Sequence, residues 1–455
     1  MRAKKIKVSI IIVIFIPILL LNLTCVVRDT TSTTVLPAAS IEAIVPTDNS
    51  SFHLETINSP LASVTPHPLS STPTLSAPIN TQYILTAVLN YTQHHLKVNE
   101  QILYTNNSPE FLNDLILMVE PNRYQGVLIL KGLSWEDKSP LEEFTLDGNQ
   151  LKIPLQQPLP PGGQKSLKID YELYLPSPVP SAYTRPVPFG YTARQTNLVD
   201  WYPFIPPYAS GQGWLAHQAG YFGEHLVYES SDFQVNILIE NFQPISPIEL
   251  ISPGSEGGVK LSMAASTSPS IEGDWYHYHF ENARNFAWSV SHEYQVRSVD
   301  VGDITVYGYS FPLYERAGEA ALDTTVESLK LFNQLFGNYP HQTLSVVQAD
   351  FQDGMEYDGL FFLSNGFYNL YNGTYSDYLT AIASHETAHQ WFFGLVGNDQ
   401  ALEPWLDESL CTYSERIFYE NLHPEALEWW WAYRINYYAP RGLSLIHISE
   451  PTRPY

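Results

Sequence analysis

The run His385-Glu386-Thr387-Ala388-His389 sets two imidazoles four positions apart. On a helix, positions i and i+4 lie on one face, so both rings can reach one metal ion. Glu386, next to the first histidine, is then placed to take a proton from water held at that metal. Taken alone, the pattern also fits two surface histidines on an amphipathic helix. Its context sharpens the reading. Eighteen residues intervene before Glu408, which stands in Trp405-Leu406-Asp407-Glu408-Ser409. His385, His389 and Glu408 together make the open three-ligand set of a zinc hydrolase, with a fourth position left for water or substrate. Zinc in such a site lowers the pKa of its water from 15.7 to roughly 7, so hydroxide is available near neutrality. Glu415 is seven positions past Glu408, on the same helical face. It is either the acceptor for the second nitrogen of a ligand imidazole or an ordinary solvated charge.

These residues need rigid elements to hold them. Leu379, Ile382 and Ala383 carry a helical period, which predicts a helix over 375–395 opened by Ser376 or Asp377. Trp405–Leu422 reads as a second helix, with Pro404 at or near its first position. Leu322, Val326, Leu329 and Phe336 mark an earlier helix, ended by Gly337 and Pro340, and residues 344–347 read as a strand. From 82 to about 291 the signals are short alternating strands and turns. Asp147-Gly148-Asn149 predicts a hairpin turn, and His94-His95 fits a hairpin better than a metal site. The aromatic segment Asp200-Trp201-Tyr202-Pro203-Phe204 either lines a cleft or packs beneath a loop. No repeat of fixed period is found.

The composition sets outer limits. The chain has 455 residues, enough for two or three domains. Its 44% hydrophobic and 13% aromatic content excludes global disorder. The net charge of −24 argues against a nucleic-acid partner, which needs a basic patch. That charge comes from scarce Lys and Arg, since only 15% of residues are charged. Two cysteines exclude a disulfide framework and a cysteine-rich zinc module. Cys411 is close enough in sequence to Glu408 to approach a metal, but it reads better as a small buried hydrophobe.

The two ends read differently from the middle. Arg2, Lys4, Lys5 and Lys7 precede an apolar run over 8–21, so 1–27 is expected to be a signal or anchoring segment. A cleaved signal peptide, a lipoprotein anchored through Cys25 and an uncleaved transmembrane anchor are all open. Anchoring by one of the last two is favoured. That predicts an exported protein at the cell surface, with membrane contact through this segment and its catalytic part outside the cytoplasm. Residues 28–81 are rich in Ser, Thr and Pro and predict a disordered stalk. The run from Leu443 to Arg453 translates a transposase adapter used in sequencing libraries, so 443–455 is expected to be an artefact. The natural protein is then expected to continue past Gly442, and this fragment to be weakly active or inactive.

His385-Glu386-Thr387-Ala388-His389-Gln390-Trp391-Phe392 followed by Trp405-Leu406-Asp407-Glu408 resembles the gluzincin aminopeptidases related to aminopeptidase N and leukotriene hydrolase. Gly354-Met355-Glu356-Tyr357 is similar to that family's Gly-x-Met-Glu-Asn motif, and Phe336-Gly337-Asn338-Tyr339-Pro340 to a landmark before it. The resemblance implies an α+β multidomain fold. An N-terminal antiparallel β-sheet domain, saddle or sandwich, would cover 82–302. A partial thermolysin-like α+β catalytic domain would cover 303–442. It implies one zinc ion on His385, His389 and Glu408, with Glu386 as general base. Glu356 would hold the free amino terminus of a peptide substrate, beside Gly354 and Met355. A carboxylate pairing with that ammonium measures distance from the peptide's end to the metal. Tyr357 departs from the family's Asn. The family's oxyanion-stabilising tyrosine lies beyond the chain, so Tyr433, Tyr437 and Tyr438 read as packing residues. Gln195 falls near the family's substrate-binding segment, with its register open.

The function expected is removal of N-terminal residues from peptides. A related zinc endopeptidase or other amide hydrolase, and a non-catalytic surface binding protein with a peptidase-like fold, are the alternatives.

Overall fold

The computed structural model describes residues 79–437, apart from 138, 140, 142, 178–187, 220–223 and 243–260. The expected anchor, nearly all of the expected stalk and the adapter-like end lie outside the described residues. Thr81–Asn90 buries every second side chain, Tyr83, Leu85, Ala87 and Leu89 among them. Successive strand residues point to opposite faces, so this alternation turns one face into core. The strand turns back through His94, at φ +51°, into His95–Thr105. Both lie inside a seven-stranded sheet. Its spatial order is Ser270–Glu272, Trp275–Ala283, Ser231–Glu240, Thr81–Asn90, His95–Thr105, Gln164–Tyr174 and Leu128–Trp135. One pair departs from the antiparallel expectation: Thr81–Asn90 runs parallel to Ser231–Glu240. A parallel pair needs a long crossover, and here the intervening chain builds further strands.

Besides the two-stranded pair Tyr208–Ala209 and Gly213–Trp214, two smaller sheets accompany it. One pairs Leu112–Met118, Gln150–Leu159 and Thr145–Asp147. The expected hairpin sits here: Asp147 pairs with Gln150 around Gly148, at φ +56°. The other joins Ser262–Ala265, Trp288–Ser291, Gln195–Leu198 and Gly190–Tyr191. The aromatic segment packs inside. Trp201 is fully buried, meets Trp288 edge-on at 6.2 Å between ring centres, and donates its Nε1–H to Phe286 O at 3.1 Å.

A five-stranded sheet follows, in the order Gln295–Val301, Ile304–Ser310, Thr343–Ala349, Leu360–Ser364 and Gly354–Tyr357. Its three middle strands are parallel, and an antiparallel hairpin closes each edge. Thr343–Ala349 and Leu360–Ser364 are buried along their whole length, as parallel strands covered on both faces require. The place where the sequence divides the chain, 302/303, is the turn of the first hairpin, with Gly302 at φ +62°. The sheet therefore draws residues from both sides of that division. One hydrophobic cluster runs from Tyr83 through Trp201 and Trp288 into Val347 and Phe362, so the first sheet and this one share a core.

Helices cover the other face of the five-stranded sheet. Helix α1, Glu315–Phe336, buries Leu322, Val326 and Leu329 and stops at Gly337, at φ +101°. A short helix α2, Asn365–Leu370, leads to α3, Tyr378–Ala388. Asp377 caps α3 by accepting from Leu379 N at 2.9 Å. Every residue of α3 from Leu379 to Ala388 is buried. The helix is shorter than the expected 375–395. After His389 the chain opens into a wide π-type turn over Gln390–Leu395, with Phe392 at φ −96°, ψ 56°. Helix α4, Trp405–Leu422, has the expected bounds, with Pro404 just before it.

Candidate metal centre

His385 on α3 and His389 at its C-cap lie one turn apart, both buried, and their Nε2 atoms are 3.1 Å apart. Each ring is fixed from behind. His385 Nδ1–H donates to Glu415 Oε1 at 2.7 Å, and His389 Nδ1–H to Phe392 O at 3.3 Å. Both acceptors lack protons to give, so each Nδ1 must donate and each Nε2 is turned to the site. Glu408, half-exposed in the first turn of α4, brings Oε2 to 3.2 Å from His385 Nε2. The ligand atoms of His385, His389 and Glu408 all lie within 4.8 Å of one another.

This donor set fits zinc, since two imidazole nitrogens and a carboxylate oxygen are its habitual ligands. At bond lengths of about 2.0–2.1 Å, a tetrahedral zinc spaces its ligands by roughly 3.3 Å, close to the separations seen here. The charges agree. Burial would lower His385, but Glu408 and Glu415 together push it well above its ordinary value. Burial and the neighbouring His385 hold His389 down, at about 4. The acids around His385 thus favour a positive charge at this place.

Glu386 is buried, and its Oε2 has no hydrogen-bond partner among the described residues. Burial pushes its carboxyl well up; His385 opposes this, while Glu408, Asp353 and Glu224 add to it. The strand Gly354–Tyr357 runs against this side chain: a Cβ on Gly354 would lie 2.0 Å from Glu386 Oε1. Only glycine permits that approach.

Two residues on from Gly354, and so on the same strand face, stands Glu356. It is buried, with Oε1 3.9 Å from His389 Nδ1. Oxygen atoms of Glu356 and Glu386 and a ring nitrogen of His389 form a second cluster, also within 4.8 Å. Burial, then repulsion from Glu386, pushes the Glu356 carboxyl up to about 8, against a hydrogen bond with Glu224. Gln400 sits between the acids: its Nε2 reaches Asp407 Oδ2 at 2.7 Å, Glu224 Oε2 at 3.2 Å and Glu356 Oε1 at 3.4 Å. Met355 is half-buried and packs against the first core, while Tyr357 is buried with its ring edge-on to Phe362. The position where the sequence departs from the Asn of the resembled motif therefore holds a core side chain.

Glu415 is fully buried, and α4 turns it onto His385. Its Oε2 accepts from Trp430 Nε1 and Arg434 Nε, each at 2.8 Å, and its Oε1 from an Arg434 Nη at 2.6 Å. Burial alone would raise this carboxyl, but Arg434 and His385 bring it down to about 2. Of the two alternatives for Glu415, the structure shows the imidazole's acceptor.

Other expected residues fall into place nearby. Gly337 O accepts from Trp391 Nε1 at 2.9 Å, and Phe336 and Tyr339 pack on the same indole, so the 336–340 landmark braces the chain just after His389. Gln195 accepts from Asp350 N at 3.0 Å and donates to Gln348 O at 3.0 Å, clamping the chain that leads to Gly354. Cys411 is buried in the apolar core beneath α1 and α3. Tyr433 stacks on Trp429, but Tyr437 departs from the expected packing role and is exposed at the end of the described helical segment, and Tyr438 lies outside the described residues. Sequence reasoning missed Gln400, Glu224, Arg434 and Trp430. Asp407 stood inside a quoted motif without a role; the others left no local signal.

Parts of the chain are similar to known proteins. Residues 320–442 match the family model for the peptidase family M1 domain. The chain is 31% identical over 147 residues to endoplasmic reticulum aminopeptidase 1 of Mus musculus, covering 30% of this chain and 16% of that protein. It is 32% identical over 128 residues to aminopeptidase 2 of Candida albicans, covering 27% of this chain and 14% of that one. The matches thus span less than a fifth of these relatives' length. A crystal structure of a point mutant of the M1 zinc metallopeptidase from Deinococcus radiodurans has a similar fold. Its TM-score is 0.50 at 16% identity, over 82% of this chain and 77% of that one. The same mutant bound to a Tyr-Ser-Ala substrate gives 0.50 at 16%, over 79% and 76%. At this identity the likeness is one of fold.

Proposed function

From the match of residues 320–442 to the peptidase family M1 domain, we propose that the chain is a zinc-dependent peptidase removing residues from the amino terminus of peptides. The observation that carries this reading is the pairing of two clusters around His389. One is the ligand set His385, His389 and Glu408; the other places Glu356 and Glu386 beside it. Zinc on the first cluster supplies a Lewis acid and a water acidic enough to be activated near neutral pH. His385, His389 and Glu408 hold the ion. Glu386, buried and with a free oxygen, takes the water's proton and can return it to the leaving amine. Glu356 holds the substrate ammonium, whose positive charge compensates a carboxylate otherwise pushed up to about 8. Gln400 keeps Glu356, Glu224 and Asp407 in place around it.

The apolar N-terminal run behind Arg2, Lys4, Lys5 and Lys7 supports export and membrane tethering, with this site outside the cytoplasm.

The test compares a peptide bearing a free amino terminus with its N-acetylated form. The aminopeptidase reading expects cleavage of the free peptide only, and loss of that cleavage in Glu386→Gln with zinc content retained. Equal cleavage of the acetylated peptide would move the assignment to endopeptidase or general amide hydrolysis. A chain that binds zinc and peptide yet cleaves neither form would be a binding protein.

A further inference from the structure

Arg284 follows the Trp275–Ala283 strand, far in sequence from the histidines, yet its guanidinium meets the turn that comes after His389. Its Nε donates to Gly394 O at 3.0 Å and Phe393 O at 3.2 Å, and an Nη to Leu395 O at 3.3 Å. Its other Nη reaches Tyr228 O at 3.0 Å, and its backbone N–H donates to Asp358 Oδ2 at 2.8 Å. A helix that ends leaves its last carbonyls without partners. Here three successive carbonyls after the break are met by one planar cation, the charge sign that suits a helix C-terminus.

The fit is close on every side. A Cβ on Gly397 would lie 2.9 Å from Arg284 Cζ, and one on Gly394 3.2 Å from Asp358 Oδ1. Asp358 also takes His341 Nε2 at 3.0 Å. Gln390, directly after His389, accepts from Gly359 N at 2.9 Å and donates to Tyr357 O at 3.1 Å. The turn after Glu356 and the turn after His389 are therefore tied together.

The carbonyl at stake is that of Phe392. It faces His389 Nδ1 because Phe392 leaves the helical conformation and Gly394 N returns to His389 O at 2.9 Å. We propose that Arg284 is a positioning residue for the metal centre. By holding the carbonyls of Phe393, Gly394 and Leu395, it keeps Phe392 O on His389 Nδ1 and so keeps His389 Nε2 aimed at the site. The inference rests on the zinc reading above and adds to it a residue from the β-rich half of the chain.

The experiment uses the full chain, with zinc affinity measured by chelator competition and the zinc-free form followed by thermal melting. Arg284→Met removes every donor and keeps much of the side-chain volume; Arg284→Lys keeps the charge without the fork. Partners that orient a ligand typically change metal affinity by about 10–100-fold. Arg284→Met is expected to lose that much, Arg284→Lys to fall between it and the parent, and both zinc-free forms to melt cooperatively. The cobalt-loaded form of Arg284→Met should show an altered visible spectrum. Affinity within twofold of the parent in a folded Arg284→Met overturns the proposal. So does loss of cooperative melting in both variants, which makes Arg284 a residue of general stability. A parent chain that binds no zinc overturns the proposed function instead, so the two failures are told apart.

Discussion

Gly354 and Glu386 approach so closely that no Cβ fits between them as they stand: a Cβ on Gly354 would stand 2.0 Å from Glu386 Oε1 and 2.9 Å from Ile382 Cγ2. The first contact is the end of a side chain, so Gly354→Ala is accommodated by moving Glu386. The ligand histidines lie elsewhere on the α3 face. Displacing a reacting group by about 1 Å can cost roughly 100-fold in rate. Gly354→Ala is therefore expected to keep its zinc and lose peptidase kcat/KM by about two orders of magnitude. Zinc content by elemental analysis beside steady-state kinetics checks this; unchanged kinetics would mean Glu386 is not the base.

Arg434 neutralises a carboxylate that has no water around it, since Glu415 is fully buried. Removing one member of a buried pair typically costs about 3–5 kcal/mol, because the other charge is left uncompensated. Arg434→Met should destabilise the chain by that order in urea melts and weaken zinc binding through His385. Glu415→Gln combined with Arg434→Met should cost less than the sum of the two single changes. Strict additivity would show that the two side chains do not act as a pair.

Glu100 gives a pH prediction far from the metal. It is fully buried in the seven-stranded sheet, and neither carboxyl oxygen has a hydrogen-bond partner among the described residues. Burial pushes its carboxyl well above 4.5. The folded state thus holds a proton that the unfolded chain releases above about 4.5. That contribution is complete below the unfolded pKa and is lost as pH rises towards the folded value. Within the window the slope is about 1.4 kcal/mol per pH unit. Glu100→Gln should remove this slope between pH 5 and 8. Denaturant melts at the two pH values read it, and identical slopes in parent and variant would place the Glu100 proton elsewhere.

The metal cluster was legible in the sequence because its spacing is helical: His385, His389, Glu408 and Glu415 each repeat within a single helix, where periodicity carries direction. The strand that brings Glu356 and Gly354 to one face obeys the simpler period of two. The residues that hold these groups could not be read in that way. Gln400 stands in a connection without a period, and Arg284 and Arg434 arrive through packing. The same holds for the break after His389. Gln390-Trp391-Phe392-Phe393-Gly394 continues an apolar helical pattern. The carbonyls it frees are satisfied by a donor more than a hundred positions away. The parallel pairing of Thr81–Asn90 with Ser231–Glu240 is likewise a matter of topology, invisible in either strand's own alternation.

The apolar cluster that runs from Tyr83 and Trp201 into Val347, Phe351 and Phe362 has a consequence for inheritance. The stretch that matches the family model, 320–442, supplies only part of that cluster. Excised and expressed by itself, it would present to water the faces of Val347, Phe351 and Phe362 that the N-terminal strands now cover. Substitutions on the two sides of residue 302 must accordingly be accepted in step, each judged against the volume the other leaves. A foreign N-terminal half could not take the place of this one without rebuilding the seam.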